Sequence, residues 1–353
     1  MKTLLAIVST AAIIFLTACD EEAPTNPSNS DQLRSINVYD LNSGSITTTI
    51  SHYVPVRDIV FYNNSTLLYS KEYGDNDGWN GTSYGTRLMM LDFTSSSNNF
   101  SYFSQGSVNS INVNPEIGSF FFSSDFDIYR VNDYCNSITR LTNTTNVWES
   151  NPLYSDEKSL LFYGYTDWQF QYCGILGINV LTNEADTLLK VRNASSVYLL
   201  PLFTIENSNR LIYSESNDLS GSGSIKSLNL LDHQDIKIIA NNIPIKTIGK
   251  NISSAGKMVF SSDGKIYTLD LNNSEMKFIT DGMFADISND GNKILVATPF
   301  EIFLINADVS NPQKLISRLK EKEYISYLSF SPDNERIVFL QSKLSYDRQY
   351  IGN

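Results

Sequence analysis

Residues 328–340 read LSFSPDNERIVFL. Two short runs that alternate apolar with small or polar residues flank Ser331-Pro332-Asp333-Asn334. That is the pattern of a tight antiparallel hairpin: period-two hydrophobicity on either side of residues that favour turns. Degraded copies of the unit recur from about residue 56 to the C-terminus.

Seven short apolar runs read as the second strand of successive repeats: LLYS at Leu67, FFFS at Phe120, LLFY at Leu160, LIYS at Leu211, MVFS at Met258, ILVA at Ile294 and IVFL at Ile337. Their spacing, roughly 36 to 53 residues, is that of four-stranded propeller blades. Turn residues precede most of them, as in NPEIGS, SNDGNK and SPDNER. A third strand follows, clearest as DIYRVN from Asp127, KIYTLDL from Lys265 and EIFLINA from Glu301. A fourth comes after it, as in ITRLT from Ile138 and MKFIT from Met276. Helical stretches rich in Leu, Ala, Glu and Lys are absent, and Asn, Ser, Tyr and Phe are abundant, which suits short strands joined by turns.

With these residues in view, the repeat resembles that of TolB-like β-propellers, in which a Ser-Pro-Asp-Gly-type turn links two strands before a third. Ser331-Pro332-Asp333 and Ser288-Asn289-Asp290-Gly291 are the best matches. The resemblance spans about residues 35–345 and implies an all-β propeller. The N-terminal domain that TolB also carries has no counterpart here, so a role in the Tol system is not implied. The two ends complete the count. Residues 328–340 supply two inner strands with little chain after them, whereas residues 35–50, SINVYDLNSGSITTTI, are a third and fourth strand with none before them. Joined, they make a blade built from both termini and remove exposed edges. The expectation is one propeller domain over residues 35–353, of seven four-stranded blades, with six or eight as alternatives.

Upstream, Lys2 and the apolar run 4–16 form a leader too short to span a bilayer. It ends in Leu16-Thr17-Ala18-Cys19, which resembles a bacterial lipobox. The resemblance implies removal of residues 1–18, lipid on Cys19 and membrane tethering in the cell envelope, on the periplasmic side or at the cell surface. Residues 19–34 then form a flexible linker, opening with the acidic Asp20-Glu21-Glu22. The net charge of −12, about −13 once Lys2 is lost, disfavours nucleic acid and anionic lipid as partners.

Function is less legible. In a propeller, the loops between second and third strands open on the same face as the inter-blade loops. The longer insertions fall there and carry Trp79 and Trp168, and the connection 142–152 carries Trp148. All three tryptophans are therefore expected on one face, with Asp75, Asp77, Glu149 and Asp167 nearby. Exposed aromatics with polar neighbours suit stacking on a sugar ring or anchoring a peptide or envelope protein. The plainer reading is that these rings pack their own loops. Asp75-Asn76-Asp77-Gly78 lacks the further ligands of a calcium loop and reads as an acidic turn, so no metal or other cofactor is expected. No G-x-S-x-G, H-E-x-x-H, Walker or G-x-G-x-x-G motif is present, and His52 and His233 fall in separate blades. The sequence thus points to a non-catalytic binding or scaffold module. The alternative is an enzyme or accessory subunit acting on extracellular glycan or peptide through loop carboxylates. Cys135 and Cys173 fall toward opposite faces, which favours unpaired thiols over a disulfide. Asp186-Thr187-Leu188 resembles a short O-glycosylation sequon.

Overall fold

The computed structural model describes residues 33–343 apart from 53–55, 74–84, 96, 105–107, 115–117, 133–136, 156–158, 193–196, 206–207, 217–221, 318 and 320–322. Every regular element among the described residues is a β-strand. Each of the seven apolar runs forms the second strand of a four-strand succession. Their burial follows from that place. Phe120, Phe121 and Phe122 are sealed on both faces, while the outermost strand of the same sheet, Ile138–Arg140, is exposed throughout. A strand covered on both faces needs a continuous apolar run, whereas an edge strand does not.

Among the described residues the strands form six sheets; seven blades were expected, with six or eight as alternatives. Five are four-stranded, and the sixth has seven strands, running from Tyr198–Ile205 to Met276–Asp281. The difference lies in one strand. Ile236–Ile248 continues for 13 residues with no turn to end it, so it serves as the last strand of one succession and the first of the next.

The chain divides into two compact units, neither continuous in sequence. One comprises the described parts of Met1–Pro55, Lys246–Leu269 and Lys277–Asn353. It holds the sheet made from both chain ends, in the order Ile46–His52, Leu33–Asp40, Arg336–Lys343, Glu323–Phe330. Leu33–Asp40 pairs antiparallel with Arg336–Lys343 without a register shift, from Leu33 opposite Lys343 to Asp40 opposite Arg336. The repeated turn motif has a local cause, visible twice in this unit. Ser331 Oγ donates to Asp333 Oδ1 at 2.5 Å and accepts the Arg336 N–H at 2.9 Å, with Asn334 at φ 59°. Ser288 does the same with Asp290 and Lys293, and Gly291 takes φ 73°. The serine closes the hairpin, the aspartate braces the serine, and the next position needs a residue that tolerates the left-handed region.

The other unit comprises the described parts of Val56–Ile245 and Asp270–Met276. Its innermost strands are tied by side chains that accept a neighbour's backbone N–H. Asp58 Oδ2 takes the Ile111 N–H at 2.8 Å, and Asn112 Oδ1 takes that of Tyr154 at 3.0 Å. These links register one sheet on the next, since a buried N–H left unpaired is costly. Val108, Phe120 and Phe122 pack with Leu68 and Leu88 between two of the sheets.

Candidate functional site

One turn in the second unit breaks the rule its own repeat sets. Residues 123–129 read SSDFDIY and residues 261–267 read SSDGKIY. In each, a two-residue loop joins a second strand to a third with both loop residues at positive φ: Asp125 at 51° and Phe126 at 72°, Asp263 at 49° and Gly264 at 72°. Such a turn favours glycine at its second position. Gly264 obeys; Phe126 does not. A bulky side chain held in the left-handed region costs about 1–3 kcal/mol and persists only where something else requires it. The Phe126 ring is 56% exposed, so core packing is not what requires it.

Two tryptophans meet that ring. Trp148 is the second residue of the strand Val147–Ser155, where the sequence placed it in a connecting loop. It pairs across the sheet with Thr166, and the ladder runs on as the Trp168 N–H donates to the Asn146 carbonyl at 2.9 Å. Side chains alternate along a strand, so Trp148, Thr166 and Trp168 share one parity and the two indoles fall on the same side. Phe126 stacks on Trp148 at 5.9 Å between ring centroids and meets Trp168 edge-on at 6.5 Å. Phe170, itself at φ 53°, meets Trp148 edge-on at 5.1 Å. Trp168 is half exposed. The result is a platform of four aromatic rings carried on two turns and a strand end.

Carboxylates surround the platform unequally. Asp125 is exposed and accepts from Ser104 Oγ at 2.8 Å; Asp167 is half-buried and accepts the Gln171 N–H at 2.7 Å. Asp127 is buried and paired with Arg140 at 2.5 Å. Glu149, read from sequence as an acid of the binding face, is instead only 3% exposed. It has the opposite parity to Trp148 and turns toward Thr144, whose hydroxyl donates to Oε1 at 2.8 Å, while Oε2 is buried without a hydrogen-bond partner. Burial pushes its carboxyl above the ordinary carboxylate range, against the pull of the Thr142 and Thr144 hydroxyls.

Between the unfolded and folded pKa values of Glu149 the native chain holds the extra proton, so stability falls as pH rises through that window. Glu149→Gln is therefore expected to melt at the wild-type temperature or above at neutral pH. The gain shrinks as pH falls into the carboxylate range. Calorimetric melts at several pH values check this; a variant that is less stable at neutral pH would show that the ionised carboxylate is native-state stabilising.

Of the residues singled out from sequence, the structure brings together Trp148 and Trp168. Trp79, Asp75 and Asp77 lie outside the described residues, as do Cys19 and Cys135. Cys173 is a free, buried thiol whose pKa burial raises to about 11, so it is inert as a nucleophile. Phe126 and Phe170 were missed. For Phe126 a signal existed, in the comparison of SSDFDIY with SSDGKIY.

No family model matches the chain, and no curated protein sequence does. Solved structures do match, at 14% identity or less, and they define the class by fold alone: a β-propeller. The chain is similar to an oligogalacturonate lyase in complex with manganese (14% identity, 89% of this chain and 97% of that one, TM-score 0.61). It is similar too to the oligogalacturonate lyase of Vibrio parahaemolyticus (12% identity, 88% and 97%, TM-score 0.59). A TolB-type protein from Agrobacterium tumefaciens also matches (12% identity, 89% and 99%, TM-score 0.49).

The lyases correct one expectation. Missing catalytic motifs pointed to a protein that is not an enzyme, yet the same fold, over nearly the whole chain, is that of an enzyme. The physical reason is assembly. A propeller gathers its site from turns of several blades, so catalytic groups lie far apart in sequence and leave no local motif.

Proposed function

We propose that this protein is a lipid-anchored cell-envelope propeller that binds extracellular glycan on the Phe126–Trp148–Trp168–Phe170 platform and acts on it. The observation that carries the reading is Phe126: an exposed ring held at a glycine's φ, stacked on a tryptophan, where the same repeat elsewhere in the chain uses glycine. Flat aromatic surfaces recognise sugar rings, and outliers of this kind cluster at functional sites. The likeness to two oligogalacturonate lyases supports a carbohydrate as the substrate. Asp125 and Asp167, the solvent-accessible carboxylates beside Phe126 and Trp168, are the groups placed to move a proton to or from a bound sugar. One lyase neighbour is a manganese complex. Among the described residues no three His, Cys, Asp or Glu side chains gather to hold a metal.

The test uses the full-length protein in detergent against a panel of oligosaccharides, reading binding by calorimetry and turnover by product chromatography. Trp148→Ala is expected to weaken binding by about 2 kcal/mol, some thirtyfold. Phe126→Gly separates site from scaffold. It should match or exceed wild-type stability, because glycine relieves the turn, while glycan binding falls. Turnover that falls in Asp125→Asn or Asp167→Asn by more than any loss of binding explains would support catalysis at the platform. Binding by wild type that none of these substitutions weakens would place the site elsewhere, and a panel without any ligand would overturn the reading.

A further inference from the structure

The chain segments that build the platform are poor in positive charge. Residues 88–129, 141–157 and 159–189 contain no lysine or arginine, although they supply Phe126, Trp148, Trp168 and Phe170. Arg140 lies close by, but its guanidinium is committed to Asp127 at 2.5 Å and to the Thr142 carbonyl at 2.9 Å. Lys190 and Arg192 stand on the outermost strand of the Trp148 sheet, Ala185–Arg192. There the Lys190 ammonium already sits over the Tyr172 ring, 4.2 Å from its centroid. Asp125 and Asp167 remain accessible beside Phe126 and Trp168, and neither has a cation partner in a salt bridge among the described residues. Where the glycine-bearing copy of the turn continues with Lys265, this copy has Asp127.

Among the described residues, an anionic sugar on the platform would meet two carboxylates that repel it, and its nearest cations besides Arg140 lie off the rings on the outermost strand, at Lys190 and Arg192. An ammonium group gains twice, from the carboxylates and from the faces of the indoles. We infer that the glycan this platform takes is an amino-sugar polymer with free amines, and not the uronate polymer that the lyases of the same fold are named for. The inference rests on the platform reading above and narrows its ligand class.

Three matched oligomers test it on the full-length protein: glucosamine, N-acetylglucosamine and galacturonate, at mildly acidic pH, where the amines are charged. The glucosamine oligomer should bind at least roughly tenfold more tightly than the galacturonate oligomer. Its affinity should fall as salt rises, since exposed charges are screened. Asp125→Asn with Asp167→Asn should close most of that gap, weakening the glucosamine oligomer far more than the neutral N-acetylglucosamine oligomer. Galacturonate binding equal to or tighter than glucosamine would overturn the inference and leave the platform intact as a glycan site. Glucosamine binding indifferent to salt and to both Asn substitutions would overturn it as well. Loss of the platform reading itself looks different: no oligomer binds, or Trp148→Ala changes nothing for any of them.

Discussion

Asp286→Ala is expected to lower stability by about 3–5 kcal/mol, the range for removing one partner from a buried charged network. Asp286 is completely buried in the unit that holds both chain ends. Its carboxylate accepts four hydrogen bonds: from the Asn251 N–H at 3.0 Å and side-chain amide at 2.7 Å, the Ser329 hydroxyl at 2.9 Å and the Phe330 N–H at 2.9 Å. Burial pushes its pKa up and those donors oppose the rise. Alanine strands every donor in a space closed to water. Asparagine at this position would not rescue them, because its amide presents N–H to N–H on one side; Asp286→Asn should therefore lose most of the same stability. Urea unfolding of both variants is the measurement. A loss under about 1 kcal/mol in either would mean that these strands are not registered through the carboxylate.

The second large effect concerns the sheet built from both termini. Deleting residues 35–50 removes its two outer strands and leaves Arg336–Lys343 with a bare edge in place of an eight-residue ladder. It also uncovers the core on which Ile36 and Val38, 0% and 4% exposed, are packed. Loss of cooperative unfolding is the expected result. A milder probe guards against simple expression failure: Ile36→Lys leaves the backbone ladder in place and buries an unpaired ammonium, at a cost of several kcal/mol. Cooperative unfolding of the deletion at an unchanged temperature would mean that the ends do not hold each other.

That sheet is legible in the sequence for a physical reason. Ser331-Pro332-Asp333 is a local device: serine, aspartate and the left-handed Asn334 satisfy one another within six residues, so sequence alone specifies it. Counting such turns and the apolar runs after them locates the second strands. The long strand Ile236–Ile248 is not legible, because what would end a strand there is a turn, and IKIIANNIPIKTI contains only Asn241-Asn242 and Pro244, all of which the strand absorbs.

The site is half legible. Trp148 and Trp168 declare themselves as rare, large residues, and cross-strand register joins them. Glu149 does not declare its burial, since an acid at a strand entrance reads as solvent-facing until Thr142, Thr144 and the Asp127–Arg140 pair are seen to enclose it. Phe126 is hidden for another reason. It is ordinary in composition and exceptional only in φ, and φ becomes visible in sequence only by laying one repeat over another.

Tryptophan fluorescence reports directly whether sugar rings lie on the Trp148–Trp168 platform, because the chain has three tryptophans. An oligosaccharide titration of the wild-type protein should shift or quench the emission saturably. In the Trp148→Phe/Trp168→Phe variant, only Trp79 emits and no saturable change should remain, with folding verified by circular dichroism. A saturable signal of undiminished size in that variant would place the ligand away from these rings.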